Sequence, residues 1–138
     1  AFTIGQSLKI KSGRDLTILG HGPILYQAIE AQTKIDLKWS KKVSLEIINC
    51  SSIKPLDQKS ILSSIKKTGR LIVIEDHQKI GGLGEAVASL LLTNNLASKF
   101  IHLAVDNQFG QSAGNPQKLY DHYGIGLKSL LKAVKCLM

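Results

Sequence analysis

The sequence predicts an α/β fold, a three-layer α/β/α sandwich built on a five-stranded mixed sheet. Apolar runs of strand length alternate with segments whose apolar residues recur at helical spacing. Runs such as residues 71–74 are apolar throughout, which is typical of parallel strands covered on both faces. Ile, Leu and Val supply 41 of the 138 residues, enough for one sizeable core. At this length we expect a single domain over residues 1–138.

The first strand is predicted to differ from the others. Residues 7–11 alternate polar and apolar side chains, with lysines on one face, as in a half-exposed edge strand. Only residues 12–15 separate it from the second strand, at residues 16–20. A parallel crossover needs a dozen or more residues, so we expect the first strand to lie at an edge, antiparallel to the second.

The remaining elements alternate along the chain. Gly22 and Pro23 open a helix, and residues 33–42 read as a polar return to the next strand. Asp57 is a suitable N-cap, and Gly69 suits the end of that helix. We therefore predict further strands at residues 43–48, 71–74 and 100–105, a loop at 75–82, and helices starting after Asp57 and near Leu83, Pro116 and Leu127.

The net charge of +8 raises the question of nucleic acid, but its makeup argues against that partner. Of the 18 cations only Arg14 and Arg70 are arginines, whereas base recognition favours the arginine fork. Three Phe, three Tyr and one Trp offer little for base stacking. We expect a solvated lysine surface that binds no nucleic acid.

The cysteines and histidines give no metal-site spacing. Cys50 and Cys136 lack CxxC or zinc-finger patterns, so we interpret them as two reduced, core-type thiols in a cytoplasmic protein. His102, inside a strand, is expected to be structural. No apolar run approaches the ~18 residues of a membrane span, so no membrane association is expected.

Residues 75–87 form the most distinctive segment of the chain. Glu75, Asp76 and His77 would lie at the carboxyl end of a strand, where open parallel sheets bind ligands. A carboxylate beside a histidine can act as an acid/base pair. The structural alternative is that His77 only makes local hydrogen bonds, and this alternative stays open.

The glycines of the same segment also allow two interpretations. Gly81, Gly82 and Gly84 stand at a helix start, where backbone can approach closely and free N–H groups can hold an anion. The same glycines can instead permit packing against another chain. We favour the interface, because the segment has no arginine and Lys79 is its only nearby cation.

Two other loops carry weaker signals. Residues 20–23 begin like a dinucleotide fingerprint, but Leu25 replaces the third glycine and Pro23 has no N–H for a phosphate. We interpret this loop as an ordinary strand-to-helix turn. The polar loop at residues 106–115 carries Phe109 as an exposed contact residue.

Three motifs, in order, resemble the C-terminal domain of transketolase, and the resemblance covers nearly the whole chain. They are Ile53–Asp57, then Ile74–His77 with Gly81–Val87, then Phe109–Ser112 with Pro116, Leu119, Tyr123 and Gly124-Ile125. The resemblance implies a five-stranded mixed sheet whose first strand is antiparallel. It also implies a parent enzyme that uses thiamine diphosphate and a divalent metal to move a two-carbon ketol unit between sugar phosphates, as in the pentose phosphate pathway.

In that family the cofactor lies between the first two domains, at the interface of a dimer. The resemblance therefore implies no catalytic, cofactor-binding or metal-ligating residue in this domain. It implies the N-terminal and middle domains as partners, within a cytoplasmic homodimer. The motif segment carries over only as an interface with the partner subunit, at Glu75, Asp76, His77, Gly81, Gly82 and Gly84.

Two alternatives remain. Deoxyxylulose phosphate synthase and the beta subunits of 2-oxo acid dehydrogenases share this domain type, although Asp76 and His77 favour transketolase. A different class of protein, a free-standing anion- or nucleotide-binding regulatory module, would use the same glycine-rich helix start.

Overall fold

A computed structural model describes residues 2–138, and its strands form one sheet in the order β1-β3-β2-β4-β5. The neighbouring pairs among β2 to β5 are parallel, and β1 lies at the edge, antiparallel to β3. This arrangement confirms the predicted mixed sheet with an antiparallel edge strand. The strands are Leu8–Lys11 (β1), Leu16–Gly20 (β2), Leu45–Asn49 (β3), Arg70–Gln78 (β4) and Lys99–Val105 (β5).

Helices cover both faces of the sheet, which confirms the three-layer sandwich. One core lies under α1, α4 and α5 and the other under α2 and α3. Alternate residues of β2, β3 and β4 supply the two cores, as Ile72 and Val73 do. Within residues 2–138, no helix has the length and apolarity to cross a membrane. The helices are Tyr26–Lys38 (α1), Gln58–Thr68 (α2), Leu83–Thr93 (α3), Pro116–His122 (α4) and Leu127–Leu137 (α5).

The predicted helix ends of α2 are confirmed. The Asp57 carboxylate accepts a hydrogen bond from the Ser60 backbone N–H at 3.2 Å, as an N-cap does. Gly69 ends the helix in the left-handed conformation, with φ of 66°. Both ends of α2 are therefore determined by local sequence.

The prediction that residues 33–42 form a polar return is wrong for most of that range. α1 continues to Lys38, and the buried Gln32 explains how a polar segment stays helical against the core. The Gln32 amide donates to the Val43 carbonyl at 2.9 Å and accepts from the Leu45 N–H at 2.8 Å. The buried Gln32 amide, with its donor and its acceptor both hydrogen-bonded, joins α1 to the start of β3.

The two cysteines differ in their surroundings. Cys50 is buried as expected, and burial raises the pKa of its thiol to about 12. Cys136 is exposed, so its interpretation as a core thiol is wrong. The buried stripe of α5 runs through Leu130, Val134 and Leu137, and Cys136 falls outside that helical spacing.

The prediction that the first strand pairs with β2 is also wrong, because its partner is β3. The link at residues 12–15 crosses the start of β3 to reach β2. The N–H groups of Arg14 and Asp15 both donate to the Ser44 carbonyl, and the Ser44 N–H donates to the Asp15 carboxylate at 2.7 Å. A four-residue link is thus long enough to step over one strand.

Gly13 makes this crossing possible. A Cβ at Gly13 would fall well inside contact distance of the Leu45 carbonyl group and the Glu46 nitrogen. Both belong to the backbone at the start of β3, so they cannot move aside as the end of a side chain can.

We expect Gly13→Ala to lower the free energy of unfolding by about 1–3 kcal/mol, because the new methyl group forces backbone apart. Urea denaturation of the chain measures this change. Gly110→Ala is the matched control, because no atom lies within 4 Å of a Cβ there. Equal stability of the two variants would contradict this account of the crossing.

Candidate functional site

The candidate site centres on Glu75, a side chain with no exposed surface at the carboxyl edge of the sheet. β4 does not end at Ile74 as the sequence predicts but continues to Gln78, so Glu75 is a strand residue. β5 supports this extension, because Gln78 pairs with Val105 beyond an irregularity in the register. Glu75 follows Val73 on the face of the sheet covered by α2 and α3.

Glu75 caps α3 from outside that helix. Its Oε2 accepts from the Leu83 N–H at 2.8 Å, and its Oε1 accepts from the Gly84 N–H at 2.9 Å. These N–H groups have no partner within the helix, and the N-cap residue Gly82 has no side chain to offer them. A carboxylate here also interacts favourably with the helix dipole.

Two histidines flank the same carboxylate. His102 Nε2 lies 2.7 Å from Oε1, and His21 Nε2 lies 3.7 Å from Oε2. His21 directly follows β2 and His102 lies in β5, so the cluster joins three neighbouring strands. We name Glu75, His21 and His102 the edge triad.

The edge triad favours a charged carboxylate. Burial alone would raise the pKa of Glu75, but the contacts with His102 and His21 and the N–H groups of Gly84 and Leu83 outweigh it. The pKa of Glu75 is therefore held well below its usual range. The contact with Glu75 in turn raises the pKa of His21, against the opposing effect of partial burial.

The glycines fit around this triad. A Cβ at Gly82 would lie 2.5 Å from Glu75 Oε2, and one at Gly84 would overlap the His102 ring. Gly81 has a positive φ of 81°, but Gly82 and Gly84 do not. The close approach that the sequence analysis assigns to a neighbouring chain is made, at these two glycines, by side chains of the same chain.

Asp76 and His77 do not belong to the triad, although the charge of Asp76 also helps to raise the pKa of His21. Asp76 is exposed, and Tyr120 Oη lies 3.5 Å from its carboxylate. His77 is exposed as well, with Nδ1 2.8 Å from the Gln78 carbonyl oxygen. Within residues 2–138 the adjacent Asp76 and His77 do not form the acid/base pair suggested by their sequence, and the contacts between carboxylate and imidazole involve Glu75.

The triad occupies the place where an open sheet of this kind takes a ligand. The connection after β2 leads to β3 on one side, and the connection after β4 leads to β5 on the other, so the crevice lies between β2 and β4. Glu75 fills that crevice and uses the free N–H groups of α3. The residues here do not fit a diphosphate, which would compete with a carboxylate for the same donors.

No metal centre accompanies the triad. Over the part of the chain that the structure describes, no three His, Cys, Asp or Glu side chains are grouped to hold a metal ion. Glu75 is bonded to His102 and to two N–H groups of α3, and His21 lies at ion-pair distance, so the triad can stabilise the three strands and the start of α3. Because Glu75 already accepts from the N–H groups of α3, the triad offers no free anion site there.

An exposed apolar rim surrounds this closed edge. Tyr26 at the start of α1, Ile80 after β4 and Phe109 after β5 are 59%, 76% and 93% exposed. Tyr123 donates to the Phe109 carbonyl at 2.8 Å and so supports the backbone of that loop. We name Tyr26, Ile80 and Phe109 the apolar rim.

The sequence analysis assigns His102 a structural role but does not bring it to Glu75. Glu75 and His102 are 27 positions apart in the sequence, and in the sheet His102 of β5 is the register partner of Val73 of β4. A strand that continued past Ile74 would have put Glu75 on the same face as His102. A correct length for β4 would have indicated the contact between Glu75 and His102. The polar residues at the end of that strand instead led to the prediction of a loop.

We expect Gly84→Ala to lower the free energy of unfolding of this chain by about 1–3 kcal/mol, because the methyl group displaces His102 from Glu75. Thermal and urea unfolding measure this change in free energy. Gly114→Ala is the control, because no atom lies within 4 Å of a Cβ there. A variant as stable as the control would instead support a role confined to contacts with another chain.

The edge triad also predicts how stability depends on pH. The pKa of His21 is raised in the folded state, so its contribution is complete below its unfolded pKa of about 6.5 and is lost as pH rises through the folded value. We therefore expect the stability difference between wild type and His21→Gln to be larger at pH 6 than at pH 9.

Urea unfolding at both pH values measures this difference. His77→Gln is the control, because His77 is exposed and makes no salt bridge with any residue in the 2–138 range. A difference for His21→Gln that stays constant or grows with pH would contradict the assigned contact.

Comparison with known proteins shows the family that the chain matches. Residues 5–130 match the family model described as transketolase, C-terminal domain. The chain is 30% identical, over 95% of its length, to one of the subunits of the apulose-4-phosphate transketolase of Phocaeicola vulgatus, and covers 40% of that protein. It is 32% identical, over 97% of its length, to 1-deoxy-D-xylulose-5-phosphate synthase of Desulfitobacterium hafniense, and covers 21% of that protein.

A solved structure shares the fold closely. It is described as a split gene transketolase, an inactive beta4 tetramer, and it superposes with a TM-score of 0.86 at 29% identity. The match covers 99% of this chain and 43% of that one. The chain therefore spans less than half the length of the proteins it matches. With a family match over residues 5–130 and a shared fold, this chain belongs to the transketolase C-terminal domain family.

Proposed function

We propose that the chain is the C-terminal domain of a transketolase, or of one subunit of a split transketolase, and that it serves assembly rather than chemistry. The parent enzyme would transfer a two-carbon ketol unit between sugar phosphates. The observation that carries the assembly role is the closed carboxyl edge, where Glu75 takes up the donors of α3, beside an exposed apolar rim.

The cofactor of the parent enzyme would be thiamine diphosphate with a divalent metal, as membership of the family implies. Both would be held by the preceding domains. This assignment is supported by Glu75, whose negative charge lies where a diphosphate would need positive partners. The part of the enzyme outside this chain would therefore supply the reacting groups.

The apolar rim is proposed to pack against those preceding domains, in the same subunit or its partner within a homodimer. Exposed large apolar side chains that share one edge of a domain are typical of an interface. The matched proteins are more than twice the length of this chain, so they contain chain that can cover the rim. Asp76, His77 and Gly81, which remain accessible, would lie in the same interface.

The second candidate is that the chain is the C-terminal domain of a deoxyxylulose phosphate synthase. The 32% identity to such an enzyme supports it, and the closed edge suits it equally well. The Asp76-His77 pair, which resembles transketolase, favours the first candidate. A free-standing anion-binding module is disfavoured, because Glu75 occupies the anion position at the glycine-rich helix start.

The proposal predicts that the chain alone neither binds thiamine diphosphate with magnesium nor transfers ketol groups. Calorimetric titration with the cofactor and an assay with sugar phosphates test this. Ketol transfer should appear when the chain is combined with the remainder of its parent enzyme. Saturable cofactor binding by the chain alone, in the micromolar range, would contradict the division of roles.

The combination of the chain with the remainder of its parent enzyme also tests the apolar rim. Phe109→Ser should weaken association with the remainder of the enzyme about tenfold, which is the usual order of effect for a buried aromatic contact. Leu92→Ser is the control, because Leu92 is 79% exposed at the opposite end of α3. Sedimentation measures association, and equal effects of the two substitutions would refute the assignment of the rim.

A further inference from the structure

A second feature lies away from the carboxyl edge, in the cleft between the edge strand β1 and α2. Three lysines line it, Lys9 from β1 and Lys59 and Lys67 from α2. Lys59 and Lys67 are eight residues apart on the helix, which puts them on one face. We name this the lysine cleft.

One carboxylate forms the floor of the lysine cleft. Glu46 is fully buried, and it accepts hydrogen bonds from Ser64 Oγ at 2.6 Å and from Lys67 Nζ. Lys9 Nζ lies 3.6 Å from the same carboxylate. Burial raises the pKa of Glu46, but the contacts with Lys67 and Ser64 outweigh it, so the pKa lies below its usual value.

The positive charge of the lysine cleft exceeds the negative charge of its floor. Three ammonium groups face the one carboxylate of the lining, and a second carboxylate, that of Asp57, is bonded from outside the lining to Ser7 and Ser60. Among the described residues, Lys59 makes no ion pair. Like charges gathered in a cleft repel one another, so a bound anion lowers the electrostatic free energy.

The remaining polar groups of the lysine cleft are donors. Ser60 and Ser63 lie on the same face of α2. The Ser60 hydroxyl contacts the Asp57 carboxylate, whereas the Ser63 hydroxyl bonds to no other protein group among the described residues. The Lys59 ammonium group and the Ser63 hydroxyl are thus available to donate into the cleft. Oxygen atoms of an anion accept from such groups, and lysine is a common phosphate ligand.

We propose that the lysine cleft binds a phosphate dianion, either free or as the monoester of a small metabolite. A phosphate group, with a charge of about −1.5 to −2 at neutral pH, supplies the negative charge that this excess of ammonium groups attracts. This proposal does not rest on the function of the parent enzyme, because none of its residues belongs to the edge triad or the apolar rim.

The test is calorimetric titration of the chain with inorganic phosphate at pH 8, with ionic strength held constant by sodium chloride. We expect saturable binding. Lys59→Gln should raise the dissociation constant of phosphate roughly two- to fivefold, the effect of removing one partly solvated charge contact. Lys67 is not altered, because its loss would leave Glu46 buried without its main partner.

Lys66→Gln is the matched control. Lys66 is exposed on the same helix and carries the same charge, but it does not line the cleft. An unchanged dissociation constant for this variant supports a local site. Equal weakening by both substitutions, or no saturable binding to wild type, would overturn the proposal in favour of general attraction to a basic surface.

A second titration separates the two sources of phosphate. Glucose 6-phosphate that binds with a similar or lower dissociation constant shows that the cleft accepts monoesters, and glucose is the neutral reference. Binding of inorganic phosphate alone, lost in Lys59→Gln, shows that free phosphate is the ligand. Equal binding of glucose and glucose 6-phosphate would overturn the proposal, because charge would then play no part.

Discussion

A single buried carboxylate organises the functional edge of this domain. Glu75 has no exposed surface, so its charge is tolerated only because two imidazoles and two backbone N–H groups compensate it. Those four groups come from β2, β5 and the start of α3, with Glu75 itself on β4. Satisfying one charge therefore fixes the relative positions of three strands and one helix, and it explains why side chains are absent at Gly82 and Gly84.

The same interaction limits what this edge can do. Helix N-termini at the switch point of an open sheet commonly hold the phosphates of a ligand. Here the Glu75 carboxylate of the chain itself occupies the anion position. The N-terminus of α3 is therefore a structural joint between β4 and that helix. Exposed Tyr26, Ile80 and Phe109 remain around that joint. The closed edge and the exposed apolar side chains around it are the basis of the assembly role proposed above.

Local signals in the sequence predicted most of the fold, and non-local pairings account for the errors. Asp57 and Gly69 mark the ends of α2 because capping depends on neighbouring residues. The partner of β1 was not predictable from a short link, since four residues can turn back or cross one strand. β4 was predicted too short because its last four residues are polar. The site depended on that length, and so the contact of Glu75 with His102 could not be derived from spacing alone.

The direction of β1 has a consequence for the parent enzyme. Because β1 is antiparallel, Leu8 at its start pairs with Asn49 at the end of β3, so the chain enters the sheet where the other strands finish. The Asp57 carboxylate holds that point through the Ser7 N–H and hydroxyl, both at 2.8 Å. A domain attached ahead of β1 would thus be tethered at the edge that carries the apolar rim. A short tether of this kind raises the effective concentration of the attached domain to about the millimolar range, so even a modest contact area would keep the two together.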